Sequence, residues 1–167
     1  MIRRCTESDF AVIQSIVNEA AEAYHGIIPD DRWHDPYMSA AALSGEIAAG
    51  VEFWGWDEAG ELIGVMGAQS VRDVTLIRHA YVRTARQGKG IGGALLDSLA
   101  ARTTTPLLVG TWAAADWAIR FYQAHGFRVV SPDEKDRLLA TYWKISARQA
   151  ETSVVLISTR HAPLSSQ

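Results

Sequence analysis

The sequence predicts a mixed α/β fold, a partly antiparallel central sheet flanked by helices, with an extra helix before the last strand. Three observations point there. Three β-rich runs follow one another between Val51 and Val82, joined by short turn signals. Beyond Val82, helical and β-rich segments alternate. Between the two regimes lies a glycine-rich strand-to-helix loop, Gln87-Gly88-Lys89-Gly90-Ile91-Gly92-Gly93. A chain of 167 residues suits one core, since a split would leave two marginal halves. Residues 1–160 therefore read as one domain and 161–167 as a flexible tail.

Taken in order, Ile2 to Cys5 is a short strand, and Thr6 with Asp9 forms an N-cap box opening a helix through Phe10, Ile13, Ile16, Val17 and Ala20. Pro29 and Pro36 bracket a polar and aromatic loop before a second helix near Ser39 to Ala49. Val51 to Trp56, Leu62 to Ser70 and Val74 to Val82 form an antiparallel meander, its first turn at Asp57 to Glu61. Then come a helix from Gly92 to Ala101, a strand from Leu107 to Trp112, and a helix from Ala115 to Ala124, with Gly126 placed as its C′ cap. Ser131-Pro132-Asp133-Glu134 combines an N-cap serine, proline at the first helical position and a capping glutamate, so a helix should run to about Lys144. Thr152 to Thr159 is the last strand.

The glycine loop is suited to phosphate: its glycines let an anion approach the backbone, and the following helix presents unpaired N–H groups and the positive end of its dipole. Three kinds of phosphate loop compete. A P-loop needs lysine after its last glycine and then Ser or Thr; Lys89 lies inside the glycine run, and Ala94-Leu95 follow Gly93. A dinucleotide loop needs its first glycine at the end of the strand and an acid roughly 20 residues on, after the next strand. Here Arg83 to Gln87 intervene, and that strand ends in Gly110-Thr111-Trp112 without a carboxylate.

The third is the pyrophosphate loop Q/R-x-x-G-x-G/A, met by Gln87 to Gly92, with Tyr81-Val82 ending the preceding strand and Ala118, Phe121-Tyr122 and Gly126-Phe127 downstream. On these residues the chain resembles the GNAT N-acetyltransferase superfamily over most of its length. The resemblance implies the acyl-CoA N-acyltransferase fold, in which the strands at Val74 to Val82 and Leu107 to Trp112 splay and the cofactor's pantetheine enters the wedge. It implies acetyl-CoA as acyl donor, held by Gln87, Gly88, Lys89, Gly90, Ile91, Gly92 and Gly93 and by the main chain of Tyr81 and Val82. One departure stands out. Where the family often has Asn, three residues before Ala118, this chain has Ala115, which removes a side-chain contact to the pantetheine arm.

By the same resemblance Tyr122 is the general acid that protonates the departing thiolate. A phenol near pKa ~10 serves a thiol near ~8.5 only through close placement, so position matters more than pKa. Beside that role stands the structural one, a core tyrosine at the edge of a buried stripe of Ala114, Trp117, Ala118 and Phe121. His79 is the first choice for general base, since its strand approaches the thioester, and strand alternation puts it with Tyr81 and opposite Arg78 and Ala80. A purely structural histidine is the competing reading, and Glu52 and Glu61 are the fallback bases. Tyr24, His25, Trp33, His34 and Tyr37 give the loop after the first helix several rings, which border the acceptor site in the family. Tyr24, Trp33 and Trp112 are the substrate candidates, each with core packing as its alternative, and the helix from Ser131 falls where it would border the same site. His125 reads as the last helical residue and Cys5 as a small buried apolar group.

Composition bounds the partners. Net charge is −3 with no Lys/Arg block, which argues against nucleic acid. No run of 18 apolar residues exists, the first residues lack a signal peptide's apolar stretch, and the single Cys5 cannot close an internal disulfide, so a cytoplasmic protein off the membrane is expected. No Cys/His cluster has zinc spacing, and no metal is expected. The expected activity is direct acetyl transfer from acetyl-CoA to an amine, of a small molecule because no peptide-docking extension is evident. The reading from another class is a non-catalytic acyl-CoA-binding module, from which an effect of Tyr122→Phe would separate it. Exposed tryptophan and β-edge surface leave room for a homodimer.

Overall fold

A computed structural model describes residues 1–160; the expected tail, 161–167, lies outside the described residues. Strand β1 (Ile2–Arg4) leads into the N-cap box: the Asp9 carboxylate accepts from the Thr6 amide at 2.7 Å. After one 3-10 turn the chain enters α1 (Phe10–Ala21), whose Ile13, Ile16, Val17, Ala20 and Ala21 are buried at helical spacing. Helix α2 (Ala40–Ala48) is capped by Ser39, whose hydroxyl accepts from the Ala42 amide at 3.0 Å. The meander follows as β2 (Glu52–Glu58), β3 (Glu61–Val71) and β4 (Val74–Val82). Then come α3 (Ile91–Arg102), β5 (Leu107–Trp112), α4 (Asp116–Ala124) and β6 (Phe127–Val129). Helix α5 (Pro132–Tyr142) starts where its serine, proline and glutamate place it. A short α6 (Ala147–Glu151), absent from the sequence reading, precedes β7 (Ser153–Ser158). Its signal was present: Ser146 accepts from the Gln149 amide at 3.1 Å, the serine-to-glutamine spacing of a capping box.

The described residues form one seven-stranded sheet in the order β1-β2-β3-β4-β5-β7-β6. Only the β4–β5 pair is parallel. Helices cover both faces, so the central strands read as continuous apolar runs rather than as alternating ones. Ile77 of β4, Leu107 and Val109 of β5 and Leu156 of β7 pack under α3 with Leu95, Leu96 and Leu99. Their strand neighbours Leu76, Leu108, Val155 and Ile157 pack on the other face against Leu138 and Leu139 of α5. Farther along that face α1 and α2 cover Phe53 and Val65. Each fully buried leucine here stabilises the fold by about 1.5–3 kcal/mol.

Two irregularities shape the middle of the sheet. The β4–β5 ladder spans only Thr75–Leu107, Leu76–Leu108 and Ile77–Val109. And β4 carries a bulge opposite Met66, between the pairs Gly67–Arg78 and Val65–Tyr81, where His79 takes a left-handed φ of 55°. Gly67 makes the bulge sterically possible: a Cβ there would lie 2.7 Å from the Arg78 carbonyl oxygen and 2.9 Å from Val51.

Arg3 ties the start of the chain to the first hairpin. Its guanidinium meets the Asp9 carboxylate at 2.9 and 3.0 Å and Asp57 at 2.7 Å. The Arg3 contact, aided by the Thr6 amide and against the effect of burial, lowers the Asp9 carboxyl to about 2. Since the unfolded chain takes this proton more readily, the contribution is complete above about pH 4 and is lost as pH falls toward 2. Asp9→Asn should therefore cost about 1–2 kcal/mol at pH 7 in urea unfolding, with the gap to wild type closing in acid.

Candidate active site

The site lies where β4 and β5 part. Among the described residues no strand pairs with the β5-facing edge of β4 beyond Ile77, while β5 is drawn to its other side by β7, from Leu108–Ile157 through Trp112–Ser153. The wedge opens on a cleft of about 920 Å³. Tyr81, Val82, Gln87, Gly88, Gly90, Ile91, Gly92 and Gly93 line it, as do Tyr24, His79 and Tyr122. Lys89 stands in the same loop, exposed, without lining the cleft.

The loop's geometry follows from its glycines. Gly88 and Gly90 have φ of 77° and 84°, conformations costly for any residue with a Cβ, and space around both is open. Gly90 is the N-cap of α3, and the first amide to close back on it is that of Ala94, at 3.0 Å. The amides of residues 91 to 93 thus stand at the helix's positive end without helical acceptors, an anion site made of backbone. Gln87 fixes the loop's entry by donating from Nε2 to the Val82 carbonyl at 3.1 Å. Gly93 is needed for a different reason: a Cβ there would meet His125 Nε2 at 2.6 Å.

Helix α4 forms the other wall. Tyr122 is buried, edge-on to Phe121 and Phe127 at 5.1 and 5.5 Å between ring centres. Burial, with a smaller push from Tyr24, raises its phenol well above the ordinary value, so the group stays protonated. The expected buried stripe on this helix needs a correction. Trp117 is 41% exposed, lines the cleft and stacks on Tyr24 at 5.7 Å. His125 lines the cleft too, its Nδ1 2.8 Å from the Phe121 carbonyl oxygen and its ring 4.6 Å from that of Phe121. Trp117, Phe121 and His125 recur every four residues, the spacing of one helix face, so this wall was legible in the sequence. Ala115, standing in the asparagine position, is fully buried in a cluster with Ala21, Tyr24 and Ile28.

The bulge corrects the alternation expected for β4. His79 and Tyr81 lie on one face as expected, but Arg78 joins them there. Arg78 and His79 both reach Glu46 of α2, at 3.0 and 3.3 Å, while Ala80 and Val82 pack on the α3 face. His79 Nε2 is buried and lacks hydrogen-bond alignment with that carboxylate. Burial would raise the Glu46 carboxyl, but His79 and Arg78 outweigh it and hold the group below its ordinary value.

On the far side of the wedge lies a second cavity of about 150 Å³. Its walls are Tyr37 and Trp112, joined by a 3.1 Å hydrogen bond from the indole Nε1 to the phenol oxygen, together with Trp143, Ile145 and Gln149 from the α5–α6 segment. Tyr24, His79 and Tyr81 line both cavities. Burial raises the phenols of Tyr24 (to about 12), Tyr37 and Tyr81, so this junction carries hydroxyl donors and no phenolate. Of the substrate candidates, Tyr24 and Trp112 thus reach a cavity. Trp33 lines neither and stacks on His25 at 4.4 Å as a second layer behind Tyr37. The fallback bases are elsewhere: Glu52 pairs with Arg4 at 3.0 Å and Glu61 closes the first hairpin. Cys5 is half-buried beside α1, and burial raises its thiol to about 11.

Comparison with known proteins converges on one family. A family model for the acetyltransferase (GNAT) domain matches residues 12–142. The peptidyl-lysine N-acetyltransferase YiaC of Escherichia coli (strain K12) is 28% identical over 148 residues, 87% of this chain and 95% of the relative. The PaiA N-acetyltransferase of Thermoplasma acidophilum, solved in complex with coenzyme A, superposes with a TM-score of 0.70 at 17% identity, covering 95% of this chain and 97% of that one. The ribosomal-protein-S18-alanine N-acetyltransferase of Escherichia coli gives 0.67 at 17% identity, covering 100% and 97%. Among the described residues no helix is long and apolar enough to cross a membrane.

Gly90→Ala tests the loop directly. The left-handed cap becomes strained by about 1–2 kcal/mol, so calorimetric titration should show acetyl-CoA binding weakened about tenfold, with NADH, the negative control, binding neither protein.

Proposed function

The chain belongs to the GNAT acetyltransferase family and uses acetyl-CoA, and on that premise we propose that it acetylates a primary amine by direct attack within a ternary complex, with Tyr122 as acid and His79 as base. The observation that carries this reading is the wedge itself: a glycine loop with open backbone amides on one side, an aromatic cavity on the other, and Tyr24, His79 and Tyr81 common to both.

The residues fit the donor. The amides from Gly88 to Gly93 would hold its pyrophosphate, and the free edge of β4 at Tyr81 and Val82 would pair with its pantetheine as a strand does. Bound there, acetyl-CoA supplies an activated acyl group. An N–H on that edge donates to the carbonyl oxygen as negative charge gathers on it, which lowers the barrier without a covalent enzyme intermediate.

The amine nitrogen forms its bond to the acyl carbon as the carbon–sulfur bond breaks. His79 takes the proton the nitrogen sheds, directly or through water, and Tyr122 gives one to the departing sulfur. His79 then releases its proton to solvent and Tyr122 regains one from it, which restores both groups. Buried Tyr122 is a reluctant phenolate, so it recovers its proton promptly and begins each turnover as a donor. Glu46 stands behind His79, its carboxylate 3.3 Å from the ring's Nε2.

For the acceptor, the sequence favours a small-molecule amine. The relative named for action on peptidyl-lysine supports a lysine side chain as a second acceptor of the same chemistry, a primary amine on an aliphatic arm. An acetyl-transfer assay over an amine panel and a lysine peptide tests the reading. Tyr122→Phe should lower kcat by about 100-fold or more while acetyl-CoA affinity stays unchanged. An unaltered kcat would leave the tyrosine as packing, and acetyl-CoA binding without turnover of any amine would favour the non-catalytic module.

A further inference from the structure

We infer that Trp143 sets the steric limit on the acceptor beside its nitrogen, so that the enzyme accepts an amine carried on an unbranched CH2 group and rejects one on a branched carbon; this rests on the transfer reading above. Val109 is the last β5 residue paired with β4, and Gly110 is the first beyond the parting point. Gly110 lines both cavities, and a Cβ there would stand 3.4 and 3.5 Å from Cζ2 and Cε2 of Trp143. The indole therefore lies on bare backbone at the place where an amine crossing from the second cavity meets the cleft.

That wall is fixed. Trp143 leaves α5 as its C-cap, its N–H donating to the Leu139 carbonyl at 3.0 Å, and its ring packs into the cluster built on Leu138, Leu139 and Val155. Across from it Trp112 and Tyr37 are joined by their hydrogen bond. Close-packed aromatic walls held at both ends do not yield a methyl group's width without cost. The cavity, about 150 Å³, has room for a short aliphatic arm.

The cavity's chemistry agrees with an alkyl amine. No carboxylate lines it, and Arg78, its one permanent charge, is engaged by Glu46 and by Gln69 at 3.0 Å. Rings without a counter-charge favour the neutral, nucleophilic amine over its ammonium form.

The test offers wild type, Trp143→Ala and Trp143→Phe two matched choices with acetyl-CoA. One is a peptide with a free N-terminal alanine and a single internal lysine, the acetylated nitrogen being read by mass spectrometry. The other is n-butylamine against sec-butylamine. Wild type should favour the lysine nitrogen and n-butylamine by about tenfold or more in kcat/KM. Trp143→Ala should shrink that preference to about threefold or less, with Trp143→Phe between. Calorimetric binding of acetyl-CoA certifies each variant's fold, and if Trp143→Ala fails that check the phenylalanine variant decides. Equal use of both nitrogens by wild type, or an unchanged preference in a variant that still binds acetyl-CoA, overturns this inference and leaves the transfer reading standing. Acetyl-CoA binding by wild type with no turnover of any amine overturns the transfer reading and this inference with it.

Discussion

Strands β4 and β5 pair for three residues and then separate, and the two cavities exist because of that parting. A parallel pair that continued would satisfy its own backbone and close the sheet. Here β7 claims β5 as far as Trp112, and the bulge at His79 turns β4 away, so an edge of unpaired peptide groups is left inside the molecule. Buried backbone must find partners. An extended amide-bearing ligand is the partner this edge fits, as strand addition does at open sheet edges.

The same bulge decides which side chains meet at the junction. Inserting one residue reverses the parity of everything after it, which brings Arg78 and His79 together on Glu46 and turns Tyr81 toward Tyr24 and Tyr37. The price is a left-handed histidine in a strand, tolerated because Gly67, paired with the neighbouring Arg78, has no side chain. Strain of this kind persists where surrounding packing over-determines it. Phe53, stacked 6.3 Å from the His79 ring, and Val51 beside Gly67 supply that packing.

Two elaborations then furnish the far cavity. The segment after α1 contributes Tyr24 and Tyr37, and the segment between α5 and β7 contributes Trp143 and Gln149. An exposed ion pair, Asp31 with Arg148 at 3.3 Å, joins them at the surface. In water such a pair stabilises little, so the cavity's shape comes from the rings beneath it.

The sequence by itself determined whatever depends on neighbours a few residues apart. The glycine loop, the Ser131 cap, the helical faces and the meander were all legible, because φ preferences, capping bonds and periodicity are local properties. It identified Tyr122 and the loop from Gln87 to Gly93 as one candidate site, and those residues do converge on one cleft, Lys89 excepted. Tertiary structure alone decided the rest. A one-residue bulge leaves no signature in an apolar strand, so Arg78 could not be placed with His79, nor Glu46 behind them. Trp33, Trp112, Trp117 and Trp143 look alike in a sequence; whether an indole fills a core, lines a cleft or backs another ring depends on strand pairings up to dozens of residues away, which periodicity does not encode.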